Sequence, residues 1–261
     1  MTEHQQDKIK ENIPARPQKL ELKLLERKSY VGTDIVSFKF SRSEDNNNYY
    51  LNYKAGQYAV VDLGTKEDPE GPIRSFTLAS SPTEENFILI STRIRDTPFK
   101  KKLDSLDVGI TVKLTAPLGK FVLHEDHSRA AVFLSGGIGV TPFRSMIKYA
   151  TDKQLSVKII LFDANRNHDN ILYKKEFDEC ANLNKNLKVV YTLDVPDKDW
   201  KGELGHINQT MVTKYVSTIE MDNSIFYICG PPGMLNAMRE LLQADLGIPK
   251  ERIKIEEFTG Y

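Results

Sequence analysis

The hydrophobic pattern changes once along this 261-residue chain, and that change limits the fold more than any other feature. From Leu20 the sequence offers the short runs "LELKLLERKSY", "DIVSFKFSR", "QYAVVDL", "IRSFTLAS", "NFILISTRI" and "VGITVKLTA". They are rich in Val, Ile, Phe and Thr, several alternate apolar with polar residues, and turn-forming stretches such as "GTKEDPEGP" separate them. Runs so short and so closely spaced predict an antiparallel barrel or sandwich. One helix is predicted among them over "TPFKKKLDSL", with Thr97 as N-cap and Pro98 at the first helical position. After about Asp126 the runs "AAVFLS", "VKIILFD", "LKVVYTL" and "SIFYICG" lose their alternation, as strands covered on both faces do. Helical segments predicted at Pro142–Asp152, Ile171–Leu183 and Pro231–Leu246 separate them, and "RIKIEEF" supplies a last strand. Strands alternating with helices imply a parallel sheet. The chain therefore divides into a flexible segment 1–19, an antiparallel barrel over 20–126 and an α/β domain over 127–261.

Composition removes several function classes. Basic and acidic residues balance at 36 each, so no large face for nucleic acid is expected. No apolar run approaches membrane-spanning length and the polar start lacks a signal-peptide core, so no membrane span and a cytoplasmic location are expected. Two cysteines, Cys180 and Cys229, exclude a four-cysteine metal or iron–sulfur site on this chain. His124 and His127 are the one close histidine pair, and they read as a solvated loop, so no metal is expected. The Asn208-Gln209-Thr210 sequon reads as chance.

Two glycine-bearing bends carry the chemical signal. In "VFLSGGIGVTPFRSM" a buried strand ends at Gly136-Gly137-Ile138-Gly139, and Thr141-Pro142 opens a helix. Free backbone N–H groups and the positive end of the helix dipole suit a phosphate there. Pro142 stands where the dinucleotide fingerprint G-x-G-x-x-G/A needs a small residue, and no Gly-Lys-Ser/Thr follows, so neither common phosphate loop is present. "CGPPGM", from Cys229, repeats the strand-bend-helix arrangement. Two such bends at carboxyl ends of parallel strands share one sheet edge, where ligands of open α/β folds bind. Each bend alone is also compatible with a tight turn holding no ligand, and Cys229 equally with a small core residue. In the barrel, "GPIRSFTLASSP" sets a cation, an aromatic and a hydroxyl within four residues, which could serve a phosphate and a flat ring but on these residues alone reads as a surface strand with a core Phe.

The ordered trio "RSFT", "GGIGVTP" and "CGPPGM" resembles the ferredoxin–NADP⁺ reductase superfamily of flavoproteins, over roughly residues 20–261. The resemblance implies a flavin-binding antiparallel β-barrel followed by a parallel-sheet nucleotide-binding domain. It also implies FAD, less often FMN, as cofactor, and hydride exchange with NADPH or NADH. Residue by residue, Arg74 takes the position that holds a flavin phosphate, Phe76 the aromatic packed on the flavin and Thr77 the hydroxyl near flavin N5, with Ser75 between them. Arg93, Ile94, Phe99 and Lys100 are implied neighbours of the flavin diphosphate. Gly137, Gly139, Thr141 and Pro142 match the turn receiving nicotinamide nucleotide. Cys229, Gly230 and Pro231 match the second turn, the cysteine near nicotinamide C4. "IEEFTGY" resembles the family's terminal Glu-x-aromatic, giving Glu256 as the acid and Phe258 as the ring over the flavin, with Tyr261 the alternative ring.

For the nucleotide, Arg166 in "LFDANRNHDN" is placed to hold a 2′-phosphate, whereas Asp163 would meet a ribose hydroxyl and favour NADH. The chain carries no ferredoxin-type cysteine pattern, so the expected electron partner is a separate carrier, a ferredoxin or flavodoxin, or a small acceptor. The competing reading is a regulatory nucleotide-binding subunit of a larger redox complex.

Overall fold

The computed structural model describes residues 16–43 and 51–257. Residues 1–15, the "EDNNN" stretch from Glu44 and the terminal rings Phe258 and Tyr261 lie outside the described residues, while Gln18 and Lys19, expected in the flexible segment, already pair in the first strand.

The first half is a six-stranded antiparallel sheet curled into a nearly closed barrel, with strand order β4-β3-β6-β1-β2-β5. Its strands are β1 (Gln18–Ser29), β2 (Ile35–Ser41), β3 (Tyr58–Asp62), β4 (Ile73–Thr77), β5 (Phe87–Arg93) and β6 (Thr111–Leu118). Alternation in the sequence becomes alternation in space: Leu20, Leu22 and Leu24 on β1 and Val112, Leu114 and Ala116 on β6 all point inward. The two edge strands, β4 and β5, approach each other and leave a seam. Helix α1 (Pro98–Asp104) lies beside that seam and drives Phe99 and Leu103 into the barrel core. The Thr97 side chain accepts the Lys100 N–H and Pro98 follows it, as the sequence predicts.

The second half is a six-stranded sheet in the order β10-β9-β8-β7-β11-β12, and each paired neighbour is parallel. It comprises β7 (Ala131–Gly136), β8 (Ile159–Asn165), β9 (Leu187–Leu193), β10 (Glu203–Leu204), β11 (Ile225–Gly230) and β12 (Ile253–Glu257). Every residue of β7 and β11 is buried, which explains their unbroken apolar runs. Helices α2 (Thr141–Asp152) and α3 (Lys174–Leu183) cover one face, and α4 (Gln209–Tyr215) and α6 (Pro232–Glu240) the other. Helix α5 (Thr218–Asn223) lies outside with a capping box between Ser217 and Glu220.

Three helix boundaries differ from the sequence expectation. Helix α2 includes Thr141. Helix α3 begins three residues late because Tyr173 adopts a left-handed conformation, φ 63°, which breaks the helical run. Helix α6 stops at Glu240 and continues as a π turn over Leu241–Asp245. The hydropathy pattern also gave no sign of α4, α5 and β10. Asn208 of the sequon caps α4, its side chain accepting the Met211 N–H at 2.9 Å.

The two halves share one core. Ile35, Ala55, Ala79, Leu89 and Phe121 from the barrel half pack in the same cluster as Phe133, Phe143, Met146 and Tyr227. Phe121 meets Tyr227 edge-on at 5.5 Å. His124 contributes to this joint: its backbone N–H donates to Tyr227 Oη at 2.9 Å, and its ring Nδ1 stands at the same distance. The described residues contain no cluster of metal-ligating side chains.

Candidate active site

The two glycine bends touch. Strand β7 ends at Gly136, a tight turn runs over Gly137–Val140, and α2 begins at Thr141-Pro142. Gly137 has φ +54°, a conformation that resists side chains. Gly139 has no such torsion but has no room: a Cβ there would lie 2.6 Å from the Cys229 carbonyl carbon and 2.7 Å from the Gly230 nitrogen. At Gly230 a Cβ would approach Gly136 N to 3.3 Å. The glycines therefore let two backbones pack directly at the sheet edge. Gly139, Thr141 and Pro142 are buried, and the Thr141 hydroxyl closes the turn onto the Ile138 carbonyl at 3.1 Å. Gly137 and Pro231 remain accessible.

Strand register aligns the chemistry of the α/β half in one row. Tyr191 pairs with Asp163, Asp163 with Ser135, Ser135 with Cys229 and Cys229 with Glu256, so all five share one face of the sheet. Burial pushes the Glu256 carboxyl up to about 7, and its Oε2 is buried without a hydrogen-bond partner. Burial, with a further push from Glu256, raises the Cys229 thiol well above its ordinary value, so it is a neutral thiol at physiological pH. Asp163 is completely buried and pushed up to about 7 by desolvation. Asn165 Nδ2 donates to its Oδ2 at 2.9 Å, and Oδ1 has no partner. This corrects one expectation: a carboxylate sealed inside the sheet cannot meet a ribose hydroxyl. Arg166, just beyond the end of β8, is exposed.

The barrel seam faces the same turn. The space above Gly137 is bounded by Arg93 Nη2, 3.3 Å from where a Cβ would be. Arg93 is held from behind by an ion pair with Asp34, and Ile94 donates its N–H to the Asp34 carbonyl at 2.7 Å. Lys100 reaches from α1 across the seam. Its ammonium donates to Thr92 Oγ1 on β5 and stands 4.7 Å from the Phe76 ring centre on β4. It is buried, and no carboxylate among the described residues pairs with it, so desolvation, with repulsion from Arg74 and Arg95, lowers it to about 8. Phe76 stacks on Phe99 at 6.0 Å. Next to Phe76, the buried Thr77 hydroxyl has no partner. Ser75 is exposed.

Arg74 is differently occupied than the resemblance implies. Its guanidinium pairs with Asp68 at 2.5 Å and Glu70 at 3.1 Å, and also donates to the carbonyls of Glu70, Gly71 and Ile73. Asp68 in turn accepts the Phe99 N–H at 2.8 Å, so a carboxylate already sits at the start of α1. Arg74 fastens the loop before β4 instead of presenting free donors. An isolated hydroxyl, an unpaired buried ammonium and an aromatic ring at one seam nevertheless fit a flavin, whose ring carries hydrogen-bonding atoms and whose phosphates are anionic.

The residues missed by sequence reading lie at the joint. Arg144 and Ser145 of α2 bind the segment following β4, and Glu84 clamps Arg144. An arginine between Phe143 and Met146 on an otherwise apolar helix start was the available signal, since a charge is buried in such a place only when paired.

Comparison with known proteins agrees with this geometry. Residues 22–123 match the model of the oxidoreductase FAD-binding domain and residues 133–240 that of the oxidoreductase NAD-binding domain. The chain is 28% identical over 222 residues to a component of the Na(+)-translocating NADH-quinone reductase of Idiomarina loihiensis, covering 78% of this chain and 53% of that protein. It is thus similar to about half of that relative's length. It is 27% identical over 238 residues to NADH-cytochrome b5 reductase 1 of Neosartorya fischeri, covering 88% and 75% respectively. The fold superposes on the Amycolatopsis cytochrome P450 reductase GcoB with a TM-score of 0.79 at 22% identity, over 95% of this chain and 72% of that one. With an antiparallel barrel, a parallel-sheet half and a domain match for each, the chain belongs to the ferredoxin–NADP⁺ reductase-like family of FAD- and NAD-binding oxidoreductases.

Proposed function

We propose that this protein is a FAD-dependent NAD(P)H reductase that passes electrons to a separate carrier. The observation that carries the reading is the approach of the Gly137 turn to Arg93 at the end of β5, the strand whose Thr92 accepts from Lys100 beside Phe76. It supports a nucleotide at the bend facing a flavin at the barrel seam. Bound FAD supplies a hydride acceptor that can release its electrons singly.

The chain's own residues orient the two partners and manage charge. The Thr77 hydroxyl, lacking any internal partner, donates to the flavin ring edge. The Lys100 ammonium offsets negative charge beside it. Cys229, wholly buried beside Glu256, stays neutral and supports the second bend from beneath without meeting the nicotinamide itself. Glu256, raised to about 7, holds or releases a proton at neutral pH. Thr77→Ala is expected to slow flavin reduction by roughly a hundredfold, with flavin affinity changed less than about tenfold. Stopped-flow absorbance and flavin titration measure the two separately. An unchanged reduction rate removes Thr77 from the mechanism.

Arg166 supports NADPH as the preferred nucleotide, because it is exposed beyond β8 and the competing acid, Asp163, is sealed away. A charge-assisted contact contributes about 1.5–3 kcal/mol, so Arg166→Ala is expected to weaken NADPH use by roughly 10–100-fold and leave NADH nearly untouched. Equal losses with both nucleotides discard this assignment.

The carrier is proposed to be a ferredoxin or flavodoxin. Exposed Lys102 on α1, near the seam, favours an acidic protein. The relatives' names point to cytochrome b5 or quinone as the competing acceptors. Purified protein reconstituted with FAD should bleach on adding NADPH. Reoxidation with ferredoxin, flavodoxin, cytochrome b5 and a soluble quinone then ranks the acceptors. Bound flavin that neither nucleotide reduces refutes the proposal.

A further inference from the structure

Resting on the flavin–nicotinamide reading above, we propose that Arg144 and Ser145 are positioning residues for hydride transfer, fixing the distance between the strand that carries Thr77 and the glycine turn. The connection is short on both sides. Two residues after Thr77, the Ala79 carbonyl accepts from Arg144 Nη1 at 2.8 Å, and the next carbonyl, of Ser80, accepts from Ser145 Oγ at 2.6 Å. Arg144 lies one helical turn from Thr141-Pro142, where the glycine turn becomes α2.

Both ends of the link are themselves immobilised. Glu84 grips the guanidinium with two oxygens, at 2.8 and 3.0 Å, and Glu176 of α3 holds Nη2 from the other side at 2.5 Å. The barrel segment is pinned in turn. Ala79 N–H donates to the Leu89 carbonyl at 2.7 Å, Leu89 N–H to Ser80 Oγ at 2.9 Å, and Tyr53 Oη stands 2.8 Å from Ser80 Oγ. A buried ion cluster adds little net stability over packed apolar side chains, and the halves already share an apolar core. What directional bonds add is a single allowed offset between the halves. Hydride transfer requires reacting atoms about 3–3.5 Å apart, and a misplacement of about 1 Å can cost a hundredfold in rate.

The test uses Arg144→Lys, which keeps the charge but cannot span both Glu84 oxygens and Ala79, and Ser145→Ala, which removes one hydrogen bond and leaves the ion cluster whole. Each FAD-loaded variant is compared with wild type in nucleotide affinity, in the long-wavelength absorbance of nicotinamide stacked on flavin at equilibrium, and in the temperature dependence of the deuterium isotope effect on flavin reduction. The expected result is nucleotide affinity within about threefold, a weakened stacking band, reduction slowed roughly tenfold or more, and an isotope effect that turns steeply temperature-dependent. Should Arg144→Lys fail to fold, Ser145→Ala still decides. A normal stacking band with a temperature-independent isotope effect, or slowing that merely follows lost affinity, overturns the positioning role. If wild type itself is not reduced by either nucleotide, the flavin–nicotinamide reading fails first and the positioning role with it.

Discussion

Gly139→Ala is expected to abolish nicotinamide nucleotide binding and to destabilise the α/β half by about 3 kcal/mol. The added Cβ would meet the carbonyl carbon of Cys229 and the nitrogen of Gly230, both backbone atoms in the second bend. A flexible side chain could swing aside; these atoms can move only if β11 and α6 move with them. The substitution therefore separates the two bends whose contact shapes the sheet edge. Gly233→Ala is the internal control, because a Cβ there meets nothing within 4 Å. It lies in α6, where alanine is the better helix former, so its stability should match or slightly exceed wild type. Urea unfolding and nucleotide titration of the pair give the answer. Nucleotide affinity in Gly139→Ala within twofold of wild type would show that the bends work independently.

The second large effect runs in the stabilising direction. Asp163→Asn is expected to stabilise the protein at pH 8.5 by about 4 kcal/mol and to leave it unchanged near pH 4. The sign follows from where the proton is held. Burial raises the folded-state Asp163 from 3.8 to about 7, so between those values the folded chain keeps a proton that the unfolded chain has released. Its contribution is fully present below about pH 4 and is lost as pH rises to about 7, beyond which a buried carboxylate must be carried as a charge. Asparagine matches the protonated acid in shape, and its oxygen still accepts the Asn165 amide. Unfolding midpoints across pH 4–9 for variant and wild type should diverge through that window. Parallel curves would mean that Asp163 ionises as freely as an exposed acid.

Much of this architecture is legible before any coordinates, because the decisive signals are local. Alternating β1 and β6 announce one buried face, and unbroken β7 and β11 announce two. Thr97-Pro98 announces a helix start. The glycine bends are visible because a residue without a Cβ leaves a mark in the sequence at each close backbone approach. Pairings chosen by tertiary structure leave no such mark. Nothing local says that Arg74 is claimed by Asp68 and Glu70 before it can serve a ligand. Nothing local says that Asp163 falls on the inward face of β8, one register step from Ser135, and not at the strand's open tip. The short helices α4 and α5 escaped notice for a different reason. At seven and six residues they are too brief for a hydrophobic period, and only their caps, Asn208 and the Ser217/Glu220 box, signal them.

The wedge formed by Ala79, Leu89 and Phe121 within the cluster of Phe133, Phe143 and Tyr227 bears on how a ligand enters. Swinging one half away from the other would pull these aromatic and aliphatic groups apart and wet them. A hinge at the joint is therefore an expensive motion, and admission of a ligand falls to small surface movements along the barrel seam. For the same reason neither half is a detachable cassette: severed at the joint, each would present an oily scar to water and stick to whatever bore a similar one.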